Sequence, residues 1–107
     1  MQQFIIKRAD TSPALRYELK PSNITLAAAS VQFQMRVKGG DTVIDASADI
    51  VDPSPPVVEY KWQDGDTDVE GCYEAEFRVT YLDGTRETFP NRGFIQVQIG
   101  EDIPDID

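Results

Sequence analysis

The sequence predicts an all-β fold: an immunoglobulin-like antiparallel β-sandwich of about seven to eight strands, in one domain spanning residues 1–100. Three observations lead there. Apolar and polar residues alternate with period two along most of the chain, and no stretch sustains the 3.6-residue period of an amphipathic helix. Turn-forming Gly, Pro and Asp recur at short intervals between the alternating runs. Tyr73 stands near the start of the longest run, two positions before Ala75. Immunoglobulin-like sandwiches carry a corner tyrosine there, two residues ahead of a cysteine.

Taken in order, "QFIIK" (3–7) and "ALRYEL" (14–19) are short strand candidates. "ITLAAAS" (24–30) is too short for an independent helix and leads into a strand. In "SVQFQMRVK" Val31, Phe33, Met35 and Val37 alternate with Gln32, Gln34, Arg36 and Lys38. In "TVIDASADIV" Ile44, Ala46, Ala48 and Ile50 oppose Asp45, Ser47 and Asp49. "DPSPP" (52–56) reads as a stiff exposed loop, because proline fixes φ and lacks an amide donor. Val58, Tyr60 and Trp62 of "VVEYKW" share one side of the next strand, and the polar loop "QDGDTDVEG" (63–71) follows. In "CYEAEFRVTY" Tyr73, Ala75, Phe77, Val79 and Tyr81 oppose Glu74, Glu76, Arg78 and Thr80. Asp83-Gly84 suits a type I′ hairpin. "FIQVQI" sets Ile95, Val97 and Ile99 against Gln96 and Gln98. Each strand thus has one dry and one wet face, as in antiparallel sheets packed face to face.

With 19 acidic and 10 basic side chains, the net charge of −9 opposes binding to nucleic acid or anionic membrane. No apolar run approaches the ~20 residues of a transmembrane helix. Lys7 and Arg8 follow the short N-terminal apolar run instead of preceding it, the wrong order for a secretory signal, so a cytosolic setting is expected. Residues 101–107 read as a solvated acidic tail. The single cysteine, Cys72, excludes an internal disulfide, and with no histidine to activate it, it reads as a structural thiol.

Chemistry has few candidates. Asp64, Asp66 and Asp68 are the candidate metal ligands, since alternate carboxylates can converge on calcium. The EF-hand pattern then expects Gly and Glu where Val69 and Ala75 stand, and the plainer reading is a solvated turn. Glu74 and Glu76 share an outward face with Arg78, without the desolvation that would split two carboxyl pKa values, and Glu87 adds no cleft. Zinc lacks its usual nitrogen and sulfur ligands, and no glycine-rich phosphate loop opens a helix. Asn23-Ile24-Thr25 matches a glycosylation sequon by chance. The expectation is a protein with no catalytic residues and no cofactor, working through its outer surface. Trp62 and Tyr73 staple the fold, while Phe94, opposite in phase to Ile95, and Phe4 are the interface candidates.

Several motifs in order resemble a known family. Tyr60-x-Trp62 precedes Gly65–Thr67, then Gly71, Tyr73 and Ala75–Phe77, the Asp83-Gly84 turn, and Thr88–Pro90. Over residues 10–99 this series is similar to the N-terminal domain of the baseplate upper proteins of tailed bacteriophages. The resemblance implies an immunoglobulin-like sandwich acting as a virion structural protein, assembled in the host cytoplasm. It would dock onto other baseplate, tail or capsid proteins or onto copies of itself. The chain stops at Asp107 without the family's receptor-binding extension, which points to a tail adaptor or, as an alternative, a head-decorating subunit. A carbohydrate- or calcium-binding module is the reading from another class.

Overall fold

Alternation along the chain resolves, in the computed structural model, into nine strands and no helix among the described residues. The structure describes residues 3–20, 25–101 and 103. The strands are β1 (Gln3–Lys7), β2 (Leu15–Glu18), β3 (Ser30–Val37), β4 (Thr42–Ser47), β5 (Asp49–Pro53), β6 (Pro56–Tyr60), β7 (Gly71–Thr80), β8 (Arg86–Phe89) and β9 (Ile95–Gly100). A six-stranded sheet runs β1-β9-β7-β3-β4, with β8 also pairing β7, and a three-stranded sheet runs β2-β6-β5. All pairings are antiparallel except β1 on β9.

The two sheets close on the inward positions of the alternating runs. Val31, Phe33 and Met35 of β3 meet Tyr73, Ala75, Phe77 and Val79 of β7, and Leu15, Tyr17, Val58 and Tyr60 cover them from the smaller sheet. Phe33 lies at the centre. Its ring stacks on Tyr60 at 4.4 Å, and it meets Phe77 at 5.1 Å and the edge of Trp62 at 5.8 Å. Offset and edge contacts of this kind contribute about 0.5–1.5 kcal/mol each beyond area burial. Trp62 is buried, and its Nε1 has no hydrogen-bond partner among the described residues.

Hydrogen bonds tie the loop before β7 to this core. Tyr73 Oη donates to the Val69 carbonyl at 2.6 Å, so the tyrosine corner is built although Ala75 replaces the cysteine. Gly71, at φ 151°, turns the chain over the tyrosine ring, which lies 3.7 Å from where a Cβ would stand. The Thr67 hydroxyl donates to the Asp10 carbonyl at 2.7 Å, which makes Thr67 the one polar side chain in the buried set of described residues.

Four local expectations are revised. "TVIDASADIV" is two strands, because the chain passes from the larger sheet to the smaller at Ala48, whose N–H donates to the Val31 carbonyl at 2.9 Å. "DPSPP" is the β5–β6 hairpin, with Pro53 opposite Pro56 and the Asp52 carboxylate accepting from the Ser54 N–H. The β7–β8 connection is not a type I′ turn. Only Gly84 has positive φ (88°), and the bonds Gly84 N–H to Tyr81 O and Tyr81 N–H to Thr85 O mark a type I turn closed by a glycine bulge. Val37, placed among the inward residues, is 43% exposed at the end of β3. Asn23 of the sequon and residues 102 and 104–107 of the acidic tail lie outside the described residues.

Candidate functional site

The wet positions of the same strands form the outer face of the larger sheet. Register places Arg36 opposite Glu74, Gln34 opposite Glu76 and Gln32 opposite Arg78 across β3 and β7. It places Gln96 opposite Glu74 and Gln98 opposite Cys72 across β7 and β9. The result is a sheet surface of side-chain amides, carboxylates and guanidinium groups, with each donor set beside an acceptor.

One place on this face is shaped. Arg36 reaches Glu74 Oε1 through Nη2 at 2.9 Å and Nε at 3.0 Å, and the Gly39 N–H also points at that oxygen, at 3.4 Å. The Arg36 guanidinium carbon sits 4.7 Å over the centre of the Phe94 ring, a cation–π contact. Fork and ring are therefore held together, and they wall a cleft of about 150 Å³ lined by Gln34, Met35, Arg36, Thr42, Glu74, Glu76 and Phe94. Gln34, Glu76 and Gln96 make no side-chain hydrogen bond to any described residue, so their donors and acceptors are open to a ligand. A neighbouring pair, Gln32 and Asp45, is closed by its own hydrogen bond.

The residues singled out from sequence divide between core and surface. Trp62 and Tyr73 are buried, the first against Phe33, Tyr60 and Phe4, the second in the corner bond. Phe4 lies with its ring 5.7 Å from Trp62 and is partly buried against the core. Phe94 walls the cleft. Asp64, Asp66 and Asp68 are not brought together: no group of three or more His, Cys, Asp or Glu able to hold a metal ion occurs among the described residues. Asp66 is engaged elsewhere, accepting from Tyr60 Oη at 2.6 Å and from the Gln63 N–H at 2.8 Å. Burial and that carboxylate together raise the Tyr60 phenol well above its ordinary range. Glu87 likewise accepts from Tyr81 Oη at 2.9 Å and from Asn91 at 3.1 Å, and burial and this bond push Tyr81 up to about 12. A softer metal such as copper or zinc finds no imidazole in the chain and, among the described residues, one exposed thiol and, in Met35, a thioether only 2% exposed; the second methionine, Met1, lies outside the described residues.

Sequence reasoning misses the cleft residues Gln34, Arg36 and Thr42 and weighs Glu76 only as half of a solvated carboxylate pair, because outward positions read alike as solvated surface. A signal was present, since glutamine fills the outward places at 32, 34, 96 and 98, where a purely solvated face favours lysine and glutamate.

No protein-family model and no curated protein matches the chain. Among solved structures it is similar to the crystal structure of CopC from Methylosinus trichosporium OB3b, at 13% identity and a TM-score of 0.58, covering 99% of this chain and 91% of that one. That likeness shows the sandwich fold. It overturns the expected kinship with phage baseplate upper proteins, and the virion adaptor, head-decorating and host-cytoplasm expectations fall with it. The physical reason lies in the motifs themselves. Tyr60, Trp62, Tyr73, Ala75, Phe77 and Phe89 are all buried, so their order reports how a sandwich closes and says nothing about what its surface meets.

Proposed function

We propose that the protein is a non-catalytic binding module that takes a neutral, hydroxyl-rich ligand of the carbohydrate class on the outer face of its larger sheet. The observation carrying this reading is the cleft where Phe94, the Arg36–Glu74 fork, Gln34 and Glu76 meet. A sugar ring has an apolar face and an equatorial belt of hydroxyls, each both donor and acceptor. Phe94 supplies the apolar wall, Glu76 accepts, Arg36 donates, and the amides of Gln34 and Gln96 do both. The Arg36–Glu74 pair holds its geometry before any ligand arrives, which lowers the ordering cost of binding. The cleft of about 150 Å³ has room for roughly one ring, so an oligosaccharide would lie with one unit seated and others along the Gln96–Gln98 row.

Among the described residues no group of three or more His, Cys, Asp or Glu that could hold a metal ion accompanies the cleft, and the reading asks for none. The loop aspartates favour a structural role over calcium because Asp66 already holds Tyr60 and the Gln63 amide. Isothermal titration of the protein with cello-, xylo-, manno- and maltohexaose tests the proposal. The expected result is measurable affinity for at least one of them, weakened about 10-fold or more by Phe94→Ala and by Glu76→Gln, each a loss of at least ~1.4 kcal/mol. The reading is abandoned if none of the four binds, or if both variants bind as the wild type does.

A further inference from the structure

We propose that two copies of the chain associate through β1, their strands running antiparallel about a two-fold axis at Ile5, so that the two larger sheets join edge to edge. Every open sheet leaves edge strands whose outward amides and carbonyls can pair with another chain, and proteins blunt these edges with charge, proline, bulges or brevity. The edges of this molecule differ in that respect. β4 carries Asp45 and a register shift opposite Met35 and Arg36. β5 carries Asp49, Asp52 and Pro53, with its own shift between Ile50 and Asp52. β2 is four residues long, with Arg16 and Glu18 among them, and β8 opens with Arg86-Glu87. β1, five residues long, carries no acid, proline or register shift, its one charge is its last residue, Lys7, and it exposes Ile5 to 64%.

Backbone direction supports the same edge. The Arg8 N–H donates to the Gly100 carbonyl at 2.8 Å, so by strand alternation the peptide groups of Phe4 and Ile6 face β9, whereas those of Gln3 and Ile5 face away. Lys7 shares that direction, although its carbonyl accepts from the Asp10 N–H at 3.2 Å and closes the turn that ends the strand. An antiparallel copy centred on Ile5 sets Ile5 against Ile5, Phe4 against Ile6 and Gln3 against Lys7. The Ile5 amide and carbonyl then exchange hydrogen bonds with their symmetry mates, and the Lys7 amide reaches the Gln3 carbonyl. No like charges stand opposite one another, although each copy carries a net charge of −9. A second copy fits this edge because the strand is complementary to itself, apolar at its centre and without acid.

The contact is short, so affinity is weak, on the order of 100 µM, and it strengthens with salt as the mutual repulsion of two acidic molecules is screened. Sedimentation equilibrium from about 10 µM to about 1 mM, at low and high salt, tests this. The expected result is a weight-average mass rising toward that of a dimer, more so at high salt, with Ile5→Pro and Ile5→Lys remaining monomeric. Ile5→Pro removes an outward N–H and no bond to β9, and Ile5→Lys opposes two cations across the axis. A wild type that stays monomeric throughout, or variants that associate equally, overturns the proposal. Hydrogen exchange on the unaltered chain gives a reading independent of how the variants fold. Amides of Ile5 and Lys7 should slow with rising concentration while those of β2 do not, and unchanged rates at Ile5 would also overturn it.

Discussion

The two sides of β7 compare directly, because they share one backbone. Tyr73, Ala75, Phe77 and Val79 point inward and are buried, whereas Glu74, Glu76, Arg78 and Thr80 point outward and are half-buried. The inward set has one task, to fill the space between two sheets, and the choice of residues there is dictated by volume and by the loss of water. The outward set is under no such demand. Its residues are free to be chosen for what they hold, and at Glu74 and Glu76 they wall the cleft beneath Phe94. Strand geometry makes both sides equally regular, yet only the inner one is determined by the fold.

If that division is right, damage to the two sides must differ in kind. The largest effect is expected from Phe33→Ala, which empties the centre of the aromatic cluster and should cost about 3–5 kcal/mol in denaturant unfolding, enough to leave a domain of this size marginal. Next comes alkali. Burial raises the phenols of Tyr17 and Tyr73, and burial with a carboxylate bond raises Tyr60 and Tyr81. A phenol whose folded pKa lies above its unfolded value of 10 contributes stability that is fully present below pH 10 and is lost as pH climbs through the folded values. Stability should be flat in this respect up to about pH 10 and fall beyond it, with tyrosinate absorbance near 295 nm appearing together with unfolding. Tyrosinate absorbance growing gradually from pH 9 while the fold stays intact would show the phenols to be open.

Smaller still is Tyr73→Phe. It deletes the hydroxyl that donates to Val69 and leaves the ring, so a loss of about 1 kcal/mol is expected by the same denaturant measurement. The outer side should respond least in stability. Glu74→Gln weakens an ion pair whose Arg36 partner is 42% exposed, so the change in unfolding free energy should stay within about 1 kcal/mol. The same substitution frees the Arg36 fork from its anchor and should be felt in ligand affinity. A core-sized stability loss at Glu74, or none at Phe33, would break the comparison.

The same asymmetry explains what could be read from the chain. Inward positions were legible because burial imposes period two, and the corner tyrosine was legible because its place depends on the turn before it. The passage between sheets at Ala48 was hidden, since Ile44, Ala46, Ala48 and Ile50 stay in phase on the dry side while the chain changes partner strand. The β7–β8 turn was misjudged because Asp83-Gly84 suits a two-residue loop. Leu82 joins the turn instead, and the Asp83 carboxylate fixes it by accepting from the Thr85 N–H at 3.0 Å and from its hydroxyl at 2.6 Å. The cleft was not legible as a site, because Arg36, Glu74 and Phe94 lie far apart in sequence and meet only through the β3–β7–β9 register. The supposed family kinship failed for the converse reason, because its motifs lay in the core, where unrelated sandwiches converge.

The central claim is that the outer face of the larger sheet, at the Phe94 cleft, is the functional surface. The most direct test is a residue-resolved NMR titration of the wild-type protein with the hexasaccharides, following backbone amides and the side-chain amides of glutamine. Shifts should cluster on Gln34, Arg36, Glu74, Glu76, Phe94 and Gln96, leaving the loop at Asp64–Asp68 unmoved. Shifts concentrated on that loop or on the smaller sheet, or none at any saccharide concentration, would contradict the account.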